Sequence, residues 1–244
     1  MMRQFGRVLA LLLVALLSLQ LFFVARIALM RWIDPQSTTF QRSEWWRLHH
    51  ERGARFAWSQ QWVDTGRIAD SLKRAVVASE DAGFVDHSGV EWDAIERAWE
   101  RNQRAQTVDS RRVAASGGQR PVKLVGGSTI TQQLAKNLFL SGERTLPRKA
   151  QEFVLTWTLE ALLDKRRILE IYLNSVEWGE GVFGAQAAAR HYYRVDVERL
   201  GPAAAAHLAV LLPAPKRFER NPGSAYVNGR AAVIETRMGD VELP

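Results

Sequence analysis

The feature that most constrains this chain lies at its start. Val8 to Ala25 reads VLALLLVALLSLQLFFVA, without one charge, and the apolar run continues past Arg26 to Met30. As a helix, that run spans roughly 34 Å, enough to cross a bilayer. Arg26 near its end can snorkel to the headgroups. A cleaved signal peptide is the competing reading, since Arg3 and Arg7 make a plausible n-region. The run exceeds the usual apolar core of about 7–15 residues, however, and no small-x-small cleavage site follows. An uncleaved anchor over residues 1–30 is therefore expected. Arginines flank both ends, so charge orients it only weakly.

What remains of the 244 residues suffices for one sizeable domain. The chain has no cysteine, which excludes disulfides and thiolate metal sites. A net charge of +7 favours anionic partners, whether phospholipid headgroups, nucleic acid or phosphorylated substrates. Residues 31–66 hold Trp32, Trp45, Trp46, Trp58 and Trp62, five of the nine tryptophans, and read as a membrane-proximal segment. Trp58 and Trp62 are expected to pack on the main domain instead.

From Arg67 to the end the pattern is mostly α. Ile68, Leu72 and Val76 follow helical spacing up to Glu80, with Asp70 as a candidate N-cap. A second helix opens near Ser128, with Ile130, Leu134 and Leu138 on one face. A third runs from Thr145–Pro147 towards Leu163, with Pro147 in its first turn. Ile168–Leu173, Gly184–Tyr193 and Pro202–Leu212 complete the helical stretches. Asn102–Lys123 is polar and basic and is expected to be a loop.

Three segments carry chemistry. In SEDAGFVDHSG, Glu80 sits where its helix should stop. The partial negative charge there and partial burial both raise a carboxyl pKa, which suits a general base. Alone, such a Glu-Asp pair is usually a solvated cap. In GGSTITQQLAKNLFL, two glycines and Ser128 lead into a helix N-terminus receptive to anions. Lys136 adds a point charge, and Gln132, Lys136 and Asn137 are expected towards a cleft or solvent. In RTLPRKAQE, Glu152 shares a stripe with leucines, and Arg148 and Lys149 can neutralise it. A purely structural ion pair is the alternative there. A glycosidase needs an acid to protonate a sugar oxygen, whereas a transferase with a pyrophosphate leaving group needs a base and cations. The cation-rich set fits the transferase.

These segments, with RRILEIYLN and GVFGAQAAARHYY, resemble in order the motifs of the peptidoglycan glycosyltransferase family, from about Arg67 to about Pro222. Five collinear matches are specific where one would be weak. The resemblance implies a lysozyme-like α domain over residues 67–244 that polymerises lipid II into β-1,4 glycan strands. It implies Glu80 as the base activating the acceptor 4-hydroxyl. Lys136, Arg144, Arg148 and Glu152 match positions at the donor pyrophosphate, where Glu152 acts with a divalent cation (Mg or Mn) if one takes part. No tightly bound cofactor or protein metal site is implied. Ser128 and Gln132 match sugar- or phosphate-contacting positions, and Asp81 matches the acid following the base. Implied partners are lipid II, the growing strand, the membrane and other cell-wall synthesis proteins, with no nucleic acid. The implied location is the bacterial inner membrane, single-pass, with the domain in the periplasm. The Asn102–Lys123 stretch is longer and more basic than the family pattern. Rival readings are a membrane-bound lytic glycosidase, separable by its products, and a non-catalytic recruiting protein, against which Glu80, Lys136, Arg144 and Glu152 together argue.

Overall fold

The computed structural model describes residues 2–116, 127–143 and 145–244. Helix α1 (Met2–Leu29) carries the apolar run, and nearly all of its first two-thirds is exposed. Its last turns dock on one side. Ile27 and Met30 are buried in the same core as the rest of the protein. Helix α2 (Thr39–Arg52) follows, opened by a reciprocal capping box between Thr38 and Gln41. The short strand β1 (Ser59–Gln60) then leads to α3 (Asp70–Glu80). The N-cap of α3 is Ala69; the expected cap, Asp70, is instead the first helical residue and pairs with Lys73 at 2.6 Å. A carboxylate in the first turn suits the helix dipole as well as a cap would.

Helix α4 (Trp92–Ser116) corrects the expected loop, at least for Asn102–Ser116; residues 117–126 lie outside the described residues. The segment lacks large apolar side chains, but that lack reports on burial and not on helix formation. Its Ala, Gln and Arg are good helix formers, with no Gly or Pro before Gly117. Exposed pairs such as Arg104–Glu100 line it.

Helices α5 (Ile130–Phe139), α6 (Leu146–Leu162) and α7 (Lys165–Ser175) form the centre. Each starts at a side-chain cap: Thr129, Thr145 and Asp164 accept from the third helical amide in turn. Every residue of α7 from Ile168 to Ser175 is buried, so it is the axis of the core. Helix α5 packs on α6 and α7 through Ile130, Leu134, Leu155 and Leu159, all fully buried. Strands β2 (Glu177–Gly179) and β3 (Val182–Phe183) form a small sheet with β1 in the order β1-β3-β2. Helices α8 (Ala185–Tyr193), α9 (Pro202–Leu211), α10 (Pro215–Phe218) and α11 (Ala225–Arg237) finish the chain, with α9 packed between α3 and α11.

The tryptophans divide. Trp58 lies against Phe183, and Trp62 lies under the Arg167 guanidinium, as expected of these two. Trp32 and Trp46 are exposed. Helix α1 is held to the domain by Phe23 and Arg26 against Phe139 and by polar contacts. Gln20 and Gln151 of α6 exchange hydrogen bonds, and Arg167 Nε donates to the Met30 carbonyl.

Candidate active site

The C-terminus of α3 delivers Glu80 to a cleft of about 740 Å³. One wall is Ser79, Glu80, Ser128, Gln133 and Lys136; the other comes from α9 to α11 and includes Arg217, Phe218, Tyr226 and Arg230. Among the described lining residues Glu80 is the sole carboxylate, with Lys136 on its own wall and Arg217 and Arg230 on the other. Its Oε2 accepts from Gln133 Nε2 at 3.0 Å, and its Oε1 accepts from Ser79 Oγ at 3.3 Å. Burial raises the Glu80 pKa, and the adjacent Asp81 charge pushes the same way, while the two hydrogen bonds and Arg230 pull it back.

Behind Gln133 stands Tyr172 of α7. Its hydroxyl donates to Gln133 Oε1 at 3.0 Å, which turns the amide nitrogen towards Glu80. The Tyr172 phenol is fully buried, and burial with the charges of Glu80 and Asp81 raises its pKa well above the usual range. It therefore stays a donor at any working pH.

Asp81 does not line the cleft. It is buried, accepting from the Ile130 amide at 2.9 Å and from His87 Nε2 at 2.8 Å. It thus caps α5 across the chain and ties the end of α3 to the helix bearing Gln133 and Lys136. His87 Nδ1 accepts from the Gly89 amide at 3.1 Å, so the imidazole proton sits on Nε2. Gly89 itself has φ +84°, and a Cβ there would meet Thr156 Cγ2 at 2.7 Å, so glycine is required at this turn.

Gln132 is also turned from the cleft. It is buried, and its Oε1 accepts from the Thr129 amide to complete the capping box. Asn137 is buried too, against the expectation for it. Gln133, which the sequence reading passed over, takes the cleft position. The sequence held the signal: Thr129-Ile-Thr-Gln132 is a capping-box pattern that commits Gln132 to the backbone. The cationic wall of Arg217 and Arg230 carried no local signal, because α10, which packs on β2, and α11, which packs on α9 and α3, lie far along the chain from Glu80.

Lys136 reaches the cleft, and enough protein surrounds it that desolvation lowers its pKa; Glu152 opposes this, while Arg148 and Lys149 add to it. Glu152 is buried behind, bonded through Oε2 to Arg148 at 2.8 Å and through Oε1 to Lys149 at 2.5 Å. The expected neutralisation is thus present, and Lys136 links this cluster to Glu80. Arg144 lies outside the described residues.

A divalent cation does not fit Glu152 as arranged, because both its oxygens are taken by cations. Asp81, His87 and Glu91 bring ligand atoms within 4.8 Å of one another, but Asp81 and both His87 ring nitrogens are spent on the hydrogen bonds above.

The transglycosylase family model matches residues 49–239, from within α2 through α11 to Gly239. The chain belongs to the transglycosylase family. Its mostly helical, lysozyme-like domain agrees with the fold described. The biosynthetic peptidoglycan transglycosylase of Paraburkholderia phytofirmans is 50% identical over 232 residues, covering 95% of this chain and 90% of that protein. Those of Burkholderia vietnamiensis and Burkholderia pseudomallei are 50% and 51% identical, covering 94% of this chain and 87% and 84% of theirs.

Proposed function

We propose that this peptidoglycan glycosyltransferase polymerises lipid II into β-1,4 glycan strands, with inversion, using Glu80 as general base. The observation that carries the reading is the cleft's charge pattern: one carboxylate of raised pKa, with Lys136 on its own wall and Arg217 and Arg230 on the other. A hydrolytic glycosidase of the usual kind flanks its substrate with two carboxyl groups. A transferase expelling pyrophosphate needs one base and positive charge for the leaving group.

In this mechanism Glu80 removes the proton from the acceptor 4-hydroxyl as its oxygen attacks the donor's anomeric carbon. The bond from that carbon to the pyrophosphate breaks, and the configuration changes from α to β. The proton ends on Glu80 and the electron pair on the departing undecaprenyl pyrophosphate. Burial makes Glu80 a stronger base than an exposed glutamate, and Gln133 and Ser79 keep it ionised enough to act. Lys136, backed by Arg148 and Lys149, offsets charge on the pyrophosphate. Asp81 acts through position, holding α3 to α5. Helix α1 anchors the enzyme, which fits an inner-membrane location with the domain in the periplasm.

The test is incubation of the purified full chain with labelled lipid II. Wild type should yield polymer, and Glu80→Gln should polymerise roughly 10²–10⁴-fold more slowly with its fold intact. A variant near wild-type rate would remove Glu80 from the mechanism.

A further inference from the structure

A second cavity, of about 430 Å³, opens where α1 ends. It shares no lining residue with the catalytic cleft. Three arginines line it: Arg31 after α1, and Arg166 and Arg167 in the first turn of α7. Its depth follows from α1. The apolar span ends at Leu29, and Arg31 follows two residues later, with exposed Trp32 and Ile33 beyond. Tryptophan and arginine just past a span mark the headgroup layer.

The three guanidinium groups are in different states. Arg167 is committed to Asp34 at 2.7 Å, to Glu170 at 3.2 Å, to the Met30 carbonyl and to the face of Trp62. Arg31 and Arg166 make no ion pair among the described residues. The cavity's two carboxylates do not serve them. Asp164 accepts from the Arg167 amide at 2.7 Å, and Glu170 pairs with the Arg167 side chain and accepts from the Thr65 amide. Arg31 lies over the Trp32 ring. Two planar cationic donors without a carboxylate partner among the described residues thus line a cavity at headgroup depth, and phosphate is the anion such forks suit. The apolar side is also present. Leu162 lines the cavity, and exposed Trp157 and Val154 lie one and two turns before Ala161 on the same face of α6.

We infer that this cavity binds the phosphodiester headgroup of an anionic phospholipid, with Arg31 and Arg166 on the phosphate and the acyl chains along α1 and α6. The inference rests on α1 being a membrane anchor, as proposed above. Its consequence is mechanical. A lipid bound there would add to the Gln20–Gln151 and Arg167–Met30 contacts that fix the tilt of the domain on the bilayer.

The full chain is reconstituted in phosphatidylcholine vesicles with and without phosphatidylglycerol. Spin-labelled phosphatidylglycerol and phosphatidylcholine then report which lipid the protein immobilises. Wild type should prefer phosphatidylglycerol. Arg31→Gln/Arg166→Gln should lose the preference, about fivefold for each arginine, with lipid II polymerisation in detergent unchanged. Arg31→Lys/Arg166→Lys should recover much of it. Equal preference in wild type and the glutamine variant overturns the inference. So does displacement of the bound phosphatidylglycerol by lipid II, which would make the cavity a substrate site. A chain that enters both vesicle types without selectivity overturns this inference alone; one that enters neither overturns the anchor reading as well.

Discussion

Tyr172→Phe removes one hydroxyl that touches neither solvent nor the catalytic cleft, yet it should change the pH dependence of the reaction. The Tyr172 hydroxyl holds Gln133 Oε1, and the opposite end of that amide donates to Glu80 at 3.0 Å. Without the hydroxyl the amide can turn and present its oxygen to the carboxylate. A hydrogen bond to a charged group contributes about 1.5–3 kcal/mol. Its complete loss would raise the Glu80 pKa by about 1–2 units, since 1.36 kcal/mol is one unit. The donor favours the ionised form, so losing it moves the pKa upward, and an ionised base is needed for turnover. Other charges around Glu80 remain in place: Asp81 beside it, Lys136 on α5, and Arg217 and Arg230 across the cleft. The assay is kcat/KM for lipid II against pH. The acid limb should move up by as much as about 1–2 units, with the high-pH plateau and KM close to wild type. Direct loss of the neutral hydrogen bond should lower stability by only about 0.5–1.5 kcal/mol. An acid limb that stays in place while stability falls would refute the relay and leave Tyr172 a packing residue.

The remaining predictions concern charge, burial and the anchor. Glu80 has a raised folded pKa, so its ionisation destabilises the fold as pH rises. Glu80→Gln should therefore melt higher than wild type at pH 8, and thermal melts from pH 4 to 8 should show the gain vanish in acid. Glu177 is lifted to about 7 by burial, which Glu44 reinforces and Lys216 opposes. Stability from its neutral form is present below the ordinary glutamate pKa and is lost as pH rises through about 7. Glu177→Gln should thus stabilise by up to about 3 kcal/mol at pH 9 and by little at pH 4, measured by denaturant titration. Lys136→Ala should slow turnover chiefly through the donor, which single-turnover assays with separate donor and acceptor analogues would resolve; small equal effects on both would make Lys136 a surface charge. Finally, a chain starting at Trp32 loses the buried side chains of Ile27 and Met30 and should be less stable by about 3–6 kcal/mol, whereas one starting at Leu16, which keeps Gln20, should keep domain stability in detergent.

Where a structural decision was local, the sequence already contained it. The starts of α5 and α6 follow from Thr129, Thr145 and Pro147, because a cap acts on amides two or three residues away. The pairing of Glu152 with Arg148 and Lys149 follows from spacings of four and three on one helix. Glu80 at the end of α3 was legible for the same reason. The choice between Gln132 and Gln133 was legible too, although only if the capping box is read before the helix face.

Other decisions needed the packed chain. Helix α4 has little apolar surface, so periodicity could not distinguish it from a loop, although its helix-forming residues allowed either. Asp81 stands beside Glu80 in sequence but points into the protein, where it accepts from His87 and from the Ile130 amide, forty-nine residues later. Arg217 and Arg230 reach the cleft only through tertiary packing, α10 on β2 and α11 on α9 and α3. Burial, which raises the Glu80 pKa, is likewise a property of the assembled walls. The anchor shows both sides in one helix. Its apolar length is written in residues 8–30, but its docking depends on Gln151 and Arg167, more than a hundred residues away. A sequence states which groups a segment offers; which partners they meet over such distances is decided when the core closes.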